Sequence, residues 1–172
     1  MRARFTAVVN QVRGNQGKCL DIGGFICSEV RDPIKAKGFE YTSIDIRPSP
    51  ESILMDARDM KFPDNTFDVA TIGCVLMYIN ERDKVLSEAF RVLKKGGYLV
   101  VLEDGSSILG DGIKVDYVST MTIKDGTNEP ITHKWRYSFK SLVEDVQKAG
   151  FMVYEAGYNY LEGWALVRGV KE

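Results

Sequence analysis

Residues 67–74, F-D-V-A-T-I-G-C, form a near-continuous apolar run between two polar loops. Such a run is typical of a strand that is covered on both faces, because a strand with one wet face alternates apolar and polar residues. We therefore predict a buried strand in a mostly parallel sheet. A chain of 172 residues is long enough to bury a core of this kind. Because no repeat or linker divides it, we expect a single domain over 1–172.

Strand and helix patterns alternate along most of the chain. Helices are predicted over 4–13, from the first glycines to about 37, over 80–94 and over 139–149. Strands are predicted over 18–22, 39–46, 52–57, 67–74, 98–104, 151–156 and 164–167. This alternation favours an open parallel sheet with helices on both faces and an antiparallel last strand. Ligands in such sheets bind beyond the carboxyl ends of the strands.

Three stretches depart from simple alternation. Pro33 interrupts a helical pattern, so either a new helix begins there with Asp32 as its cap or one helix is kinked. Pro48 and Pro50 leave no room for a helix between the second and third strands, so we expect an exposed apolar face there that would suit a homodimer. Residues 105–136 form a hairpin-like insert in this prediction.

Three consecutive predicted strands each end in an aspartate. Asp21 precedes Gly23 and Gly24, Asp45 closes the second strand, and Asp56 closes the third. A carboxylate at the position of Asp45 can accept both hydroxyl groups of a ribose, and one at the position of Asp56 can accept an adenine amino group. The alternative is that these acids cap helices or lie in hydrated loops. Their common placement favours a nucleoside site.

Two long segments carry the strongest sequence signal: M-D-A-R-D-M-K-F-P-D-N-T-F-D-V-A, residues 55–70, and E-A-F-R-V-L-K-K-G-G-Y-L-V-V, residues 88–101. They resemble the class I S-adenosylmethionine-dependent methyltransferases, in the group of ubiquinone-biosynthesis C-methyltransferases. Residues 135–151 resemble the family's late helix. The resemblance covers about 18–104 and 135–168. It implies a Rossmann-like fold, S-adenosylmethionine as cofactor and an unidentified methyl acceptor.

The resemblance also implies roles for particular residues. Asp21 and Gly23, with Gly24 as a shifted companion, match the family's methionine-binding loop, and Asp45, followed by Ile46, matches its ribose acid. Further candidates for cofactor binding are those that match the adenine pair and the position under the transferred methyl: Asp56, Ala57 and Cys74.

The glycine loop departs from the family's pattern. Its second and third glycines fall on Phe25 and Cys27. Glycine serves where the backbone takes a positive φ or meets a ligand closely. Phe25 either turns its ring away from the cofactor or fills the methionine pocket. The second case describes a non-catalytic binding or regulatory subunit with a degenerate cofactor loop, which is the alternative to an enzyme. A nicotinamide-dependent reductase lacks support, because the G-x-G-x-x-G fingerprint is missing.

No residue is predicted to be catalytic. His133, the one histidine, is either a base or a surface residue, and Tyr78 lines the acceptor pocket or belongs to the core. Glu103 and Asp104 end the fifth strand and are expected to be solvated loop acids. Trp135 and Trp164 are expected to anchor the core.

The remaining features of composition exclude several classes of protein. The three cysteines include no C-x-x-C pair, which predicts free buried thiols and no metal site. The net charge of −1 gives no nucleic-acid signature. No apolar run reaches the roughly 18 residues of a membrane span. We therefore expect a cytoplasmic protein.

Overall fold

The computed structural model describes residues 3–24, 28–104, 114–122, 128–135, 139–159 and 163–172. The helices are α1 (Ala3–Gln11), α2 (Ser28–Ala36), α3 (Arg82–Val92) and α4 (Phe139–Lys148), with a 3₁₀ turn at Leu76–Tyr78. The strands are β1 (Gly17–Ile22), β2 (Phe39–Asp45), β3 (Ile53–Leu54), β4 (Phe67–Gly73), β5 (Leu93–Asp104), β6 (Lys114–Thr122), β7 (Asn128–Trp135), β8 (Met152–Asn159) and β9 (Trp164–Val170).

Seven strands form one sheet in the order β3-β2-β1-β4-β5-β9-β8. The first five run parallel, and β9 lies antiparallel between β5 and β8. The predicted seven-stranded, mostly parallel sheet with an antiparallel last strand is therefore confirmed. Strand order reverses at β1 and β4, so a crevice opens beyond the carboxyl ends of these two strands.

Side chains of the central strands alternate between two cores, as the apolar run at 67–74 predicted. On β4, Val69 packs into the core that α1 and α2 cover, whereas Ala70 and Ile72 pack into the core that α3 and α4 cover. On β1, Cys19 and Leu20 divide in the same way. Successive residues of a strand point to opposite faces, so a strand buried on both faces must be apolar throughout.

The connection from β2 to β3 holds no helix, as predicted, but β3 is much shorter than the predicted strand over 52–57. Only Ile53 and Leu54 pair with β2, at Ile44 and Asp45. Because β2 ends at Asp45, the chain beyond Leu54 has no neighbouring strand to pair with. Ile53 and Leu54 are 47% and 63% exposed on this edge of the sheet. A homodimer across this edge stays a prediction.

The helix α2 continues through Pro33, as the second of the two predicted alternatives allows, and no new helix begins at Asp32, whose side chain pairs with Arg31. One further boundary differs from the prediction. The strand β5 begins at Leu93, directly after α3, and not at Tyr98. The intervening lysines and glycines form an irregularity in the pairing with β4. The predicted insert contains the hairpin of β6 and β7, and β7 lies against the 3₁₀ turn.

Candidate functional site

A cavity of about 320 Å³ opens at the carboxyl ends of β1, β2 and β4. Segments from four parts of the chain line it. They contribute Gly23 after β1, Ile44 to Ile46 at the end of β2, Met55 to Arg58 after β3, and Val75 with Tyr78 to Glu81 after β4. Five of the sequence-predicted residues therefore meet in one pocket: Gly23, Asp45, Ile46, Asp56 and Ala57. A second cavity, between α3 and α4, shares only Asn80 with it.

Gly23 gives β1 the turn that opens the pocket. Its φ is +80°, in the left-handed region, and its N–H donates to Ile44 O at 2.8 Å. A Cβ atom here would overlap the Val75 side chain, so glycine lets the β1 turn pack directly on Val75, two residues after the end of β4. Gly24 does not line the pocket, and a Cβ atom there would overlap the Ser43 hydroxyl.

Asp21 lies beneath this turn and not in the pocket. Its side chain accepts hydrogen bonds from Thr71 Oγ1, at 2.7 Å, and from Tyr41 OH, at 2.5 Å. Only 5% of the residue is exposed. Burial raises the pKa of the Asp21 carboxyl above its ordinary value of 3.8, although the hydrogen bonds from Thr71 and Tyr41 oppose this shift. The acid thus ties β1 to β2 and β4 from within.

Replacing Asp21 with asparagine is expected to remove one pH-dependent part of the stability. An acid whose pKa rises on folding binds its proton more tightly in the folded state. Its contribution is fully present below the ordinary value of 3.8 and is lost as the pH rises through the folded-state pKa. The free energy of unfolding of the natural protein should therefore fall relative to that of Asp21→Asn, by about 1.4 kcal/mol per pH unit within this window.

Urea denaturation of both proteins between pH 4 and pH 8 measures this difference. Taking the difference between the two proteins cancels the other carboxylates, because both proteins contain them. A difference that stays constant or changes in the opposite direction would show that burial does not control Asp21.

Asp45 presents an open acceptor to the pocket. The residue is 8% exposed, and its Oδ1 atom accepts a hydrogen bond from the backbone N–H of Arg47 at 2.8 Å. In the described part of the chain, no donor is recorded for Oδ2. The next residue, Ile46, is 66% exposed and adds an apolar wall beside this carboxylate. An acceptor and an apolar surface side by side suit a sugar and its attached base.

Asp56 is engaged more fully than Asp45. Arg58 donates to its carboxylate from the backbone N–H and from the guanidinium, and this ion pair lowers the pKa of Asp56. The other end of the guanidinium pairs with Glu81. Ala57 lies between the two paired residues and lines the pocket.

The remaining candidate residues are not among the described residues that line the pocket. Cys74 has a φ of +57°, and its side chain packs beside Val8 and Val100 near α1. Phe25 and Cys27 lie outside the described residues. His133 and Trp135 lie on β7, but their side chains also lie outside the described part of the structure.

The predicted free thiols can be checked at two positions. Neither Cys19 nor Cys74 forms a disulfide within the described part of the chain, and Cys19 is fully buried, so burial raises the pKa of its thiol. Cys74 is half-buried.

Glu103 corrects one prediction: it is a buried residue and not a solvated loop acid. It is 0% exposed, and its Oε1 atom accepts the backbone N–H groups of Val75 and Leu76 at 2.9 and 2.8 Å. Its Oε2 atom accepts that of Met77 at 3.3 Å. Unpaired N–H groups at the start of a helical turn favour a carboxylate. Glu103 therefore holds the segment that carries Val75 and Tyr78 into the pocket.

The sequence analysis missed seven of the pocket residues: Ile44, Met55, Arg58, Val75, Ile79, Asn80 and Glu81. Met55 and Arg58 lie directly beside Asp56 and Ala57 in the sequence, and this position could have identified them as pocket residues. Nothing in the sequence marks Asn80 and Glu81, because the 3₁₀ turn brings them to the pocket.

Comparison with known proteins supports the family resemblance of residues 55–70 and 88–101. Residues 20–101 match the family model described as a methyltransferase domain. The ubiquinone/menaquinone biosynthesis C-methyltransferase of Vibrio campbellii is 29% identical over 96% of this chain and 64% of that relative. The chain therefore spans slightly less than two thirds of the length of this curated relative.

Two solved structures have the same fold. The 1,6-didemethyltoxoflavin-N1-methyltransferase of Burkholderia thailandensis, solved with S-adenosylhomocysteine, superposes with a TM-score of 0.77 at 14% identity, covering 99% of this chain and 77% of that one. An S-adenosylmethionine-dependent methyltransferase from Mesorhizobium loti superposes with a TM-score of 0.73 at 13% identity, covering 98% of both chains.

The sheet has the fold of solved methyltransferases, and residues 20–101 are similar to a methyltransferase domain. The relatives in sequence include ubiquinone/menaquinone biosynthesis C-methyltransferases. The resemblance predicted from residues 55–70 and 88–101 is thereby confirmed. Within the described residues, no helix is long and apolar enough to cross a membrane.

Proposed function

We propose that this chain binds S-adenosylmethionine in the 320 Å³ pocket and transfers its methyl group to an acceptor. The observation that carries the proposal is the open Oδ2 atom of Asp45, which lies beside the exposed side chain of Ile46 at the end of β2, next to the switch in strand order. This acceptor fits the hydroxyl groups of a ribose, and the apolar wall fits a base. The methyltransferase domain match supports the same ligand.

The residues of the pocket then have separate roles. Asp45 accepts the ribose hydroxyl groups, Ile46 and Met55 cover the base, and Ala57 meets the ring through its backbone. When bound, the cofactor supplies a methyl group on a positively charged sulfur. Gly23 and Val75 form the floor at which the methionine part enters. This chain's part in the reaction is to hold the two reactants in line and to exclude water.

The acceptor side of the pocket is formed by the 3₁₀ turn and the hairpin in this proposal. Tyr78 lines the pocket, and β7, which carries His133, lies against the turn. The hairpin is thus suited to act as a partial lid over a small acceptor. The Burkholderia enzyme was solved with such a small molecule, 1,6-didemethyltoxoflavin, although its low identity supports only the fold. A cytoplasmic location and the absence of a nucleic-acid partner stay predictions.

The alternative is a non-catalytic subunit that uses the fold to bind a partner. Two observations favour it: protein donors already occupy both Asp21 oxygens and the Asp56 carboxylate. Calorimetric titration with S-adenosylmethionine and with S-adenosylhomocysteine decides between the two functions. Binding in the micromolar range supports the enzyme. A folded protein that gives no heat with millimolar ligand would support the partner-binding function.

A further inference from the structure

Arg58 joins two sides of the pocket through a chain of ion pairs. Its Nη2 atom donates to Asp56 Oδ2 at 2.7 Å, and its Nη1 atom donates to Glu81 Oε2 at 2.5 Å. Asp56 lies in the loop after β3, whereas Glu81 lies immediately before α3. Lys84 holds Glu81 from the other side, at 2.6 Å. The guanidinium therefore bridges two segments that line the same cavity.

Arg58 also occupies most of the hydrogen-bonding capacity of the Asp56 carboxylate. The Oδ1 atom accepts from the backbone N–H of Arg58 at 2.9 Å and from Nε at 3.0 Å. The Oδ2 atom accepts from Nη2 at 2.7 Å and from Nε at 3.1 Å. A carboxylate offers about four lone-pair positions, and the three N–H groups of Arg58 occupy most of them, with the Nε–H shared between both oxygens. An adenine amino group therefore meets a carboxylate that is already engaged by Arg58.

We propose that Arg58 determines the affinity of the pocket for its nucleoside by competing with the adenine amino group for Asp56. The inference rests on the proposed function, because it takes the ligand to be an adenosine derivative. Binding exchanges the bonds from Arg58 for a bond from a neutral amino group, and the guanidinium must turn away from Asp56. Arg58 and Asp56 are each 38% exposed as side chains, so water screens the pair and opening has a modest cost.

The substitution Arg58→Met tests this competition, because methionine keeps the apolar stem and removes the guanidinium. The probe is S-adenosylhomocysteine, which has no net charge, so a change in the overall field of the protein has little effect on it. We expect the Kd to fall by about fivefold in Arg58→Met. Lys84→Met is the matched control, since it removes one cation from the same cluster without lining the pocket. Its Kd should equal that of the natural protein.

A second substitution identifies the group that Arg58 competes for. In the Arg58→Met background, Asp56→Ala should cancel the gain and return the Kd to the natural value or above it. A double variant that keeps the gain would overturn the proposal, because the freed carboxylate would not be its cause. An unchanged or higher Kd in Arg58→Met would overturn it as well, and so would an equal gain in Lys84→Met.

The failure of this inference is distinguishable from that of the proposed function. If the natural protein binds the probe and Arg58→Met binds it no better, the proposed function stands and the competition does not. If neither protein binds it, both are overturned. Binding by Arg58→Met alone would support both, with a competition stronger than expected.

Discussion

The substitution Asp45→Ala is expected to weaken the binding of S-adenosylhomocysteine by about tenfold to a hundredfold. The reason is that Asp45 lines the pocket and only its Oδ1 atom has a hydrogen bond recorded among the described residues, from the backbone N–H of Arg47. A charged acceptor that bonds to ligand hydroxyl groups contributes about 1.5–3 kcal/mol, and alanine removes it entirely. Isothermal titration calorimetry measures the change directly.

Two control variants make this result specific. Asp59→Ala removes an exposed acid that pairs with Lys61 outside the pocket, and its Kd should not change. Asp45→Asn keeps one acceptor for the Arg47 N–H but loses the charge, so its Kd should lie between those of the natural protein and Asp45→Ala. Unchanged binding in Asp45→Ala would remove the main support for a nucleoside in this pocket.

The substitution Glu103→Ala is expected to lower the free energy of unfolding by about 3 kcal/mol or more. It leaves the N–H groups of Val75, Leu76 and Met77 without their carboxylate acceptor beside a core from which water is excluded. Each bond to a charged acceptor is stronger than a neutral one, and each buried donor left unpaired is costly. Urea denaturation followed by circular dichroism measures the loss.

The geometry also predicts which of two Glu103 variants is the more stable. Glutamine retains an oxygen that can serve the two N–H groups now bonded to Oε1, so Glu103→Gln should be less destabilised than Glu103→Ala. Glu144→Ala is a surface control, since the ion pair recorded for Glu144 among the described residues is a long one with Lys140, and it should change stability by no more than about 0.5 kcal/mol. A loss below about 1 kcal/mol in Glu103→Ala would show that the turn does not depend on the carboxylate.

The same variant links stability to the candidate site. The segment that Glu103 holds carries Val75, which packs on Gly23, and Tyr78, which lines the pocket. A turn that loses its acceptor no longer presents these side chains at one place. We therefore expect Glu103→Ala to weaken the binding of S-adenosylhomocysteine even under conditions where the protein remains folded.

Local signals in the sequence were sufficient for most of the fold. The apolar run at 67–74 predicted a strand buried on both faces, and Pro48 and Pro50 predicted that no helix connects β2 to β3. The two strand boundaries that were predicted wrongly have a common cause, because each depends on a pairing partner that lies far away in the chain. The third strand stops at Leu54 because β2 stops at Asp45, and β5 begins early because Leu93 finds Phe67 opposite it.

The candidate site, like the fold, has features that the sequence predicted and features that it did not. Asp45 and Asp56 could be placed at the strand ends because the acids follow apolar runs and because carboxyl ends of parallel strands share one edge of the sheet. The difference between Asp21 and Asp45 could not be predicted. Both close a strand, but only the tertiary structure brings Tyr41 and Thr71 to Asp21 and leaves Asp45 Oδ2 open.

The sequence by itself determined the layered sheet and the edge at which a ligand is expected to bind, because hydrophobic periodicity and turn residues act over short stretches of chain. The class of protein followed from the resemblance of residues 55–70 and 88–101 to a known family. Only the tertiary structure decided which acids remain available to a ligand. The state of a carboxylate depends on the donors that surround it, and those of Glu103 and Asp56 come from a distant turn and from a neighbouring arginine. A buried Glu103 that organises the pocket and an Asp56 closed by Arg58 are products of packing, which no short pattern of residues records.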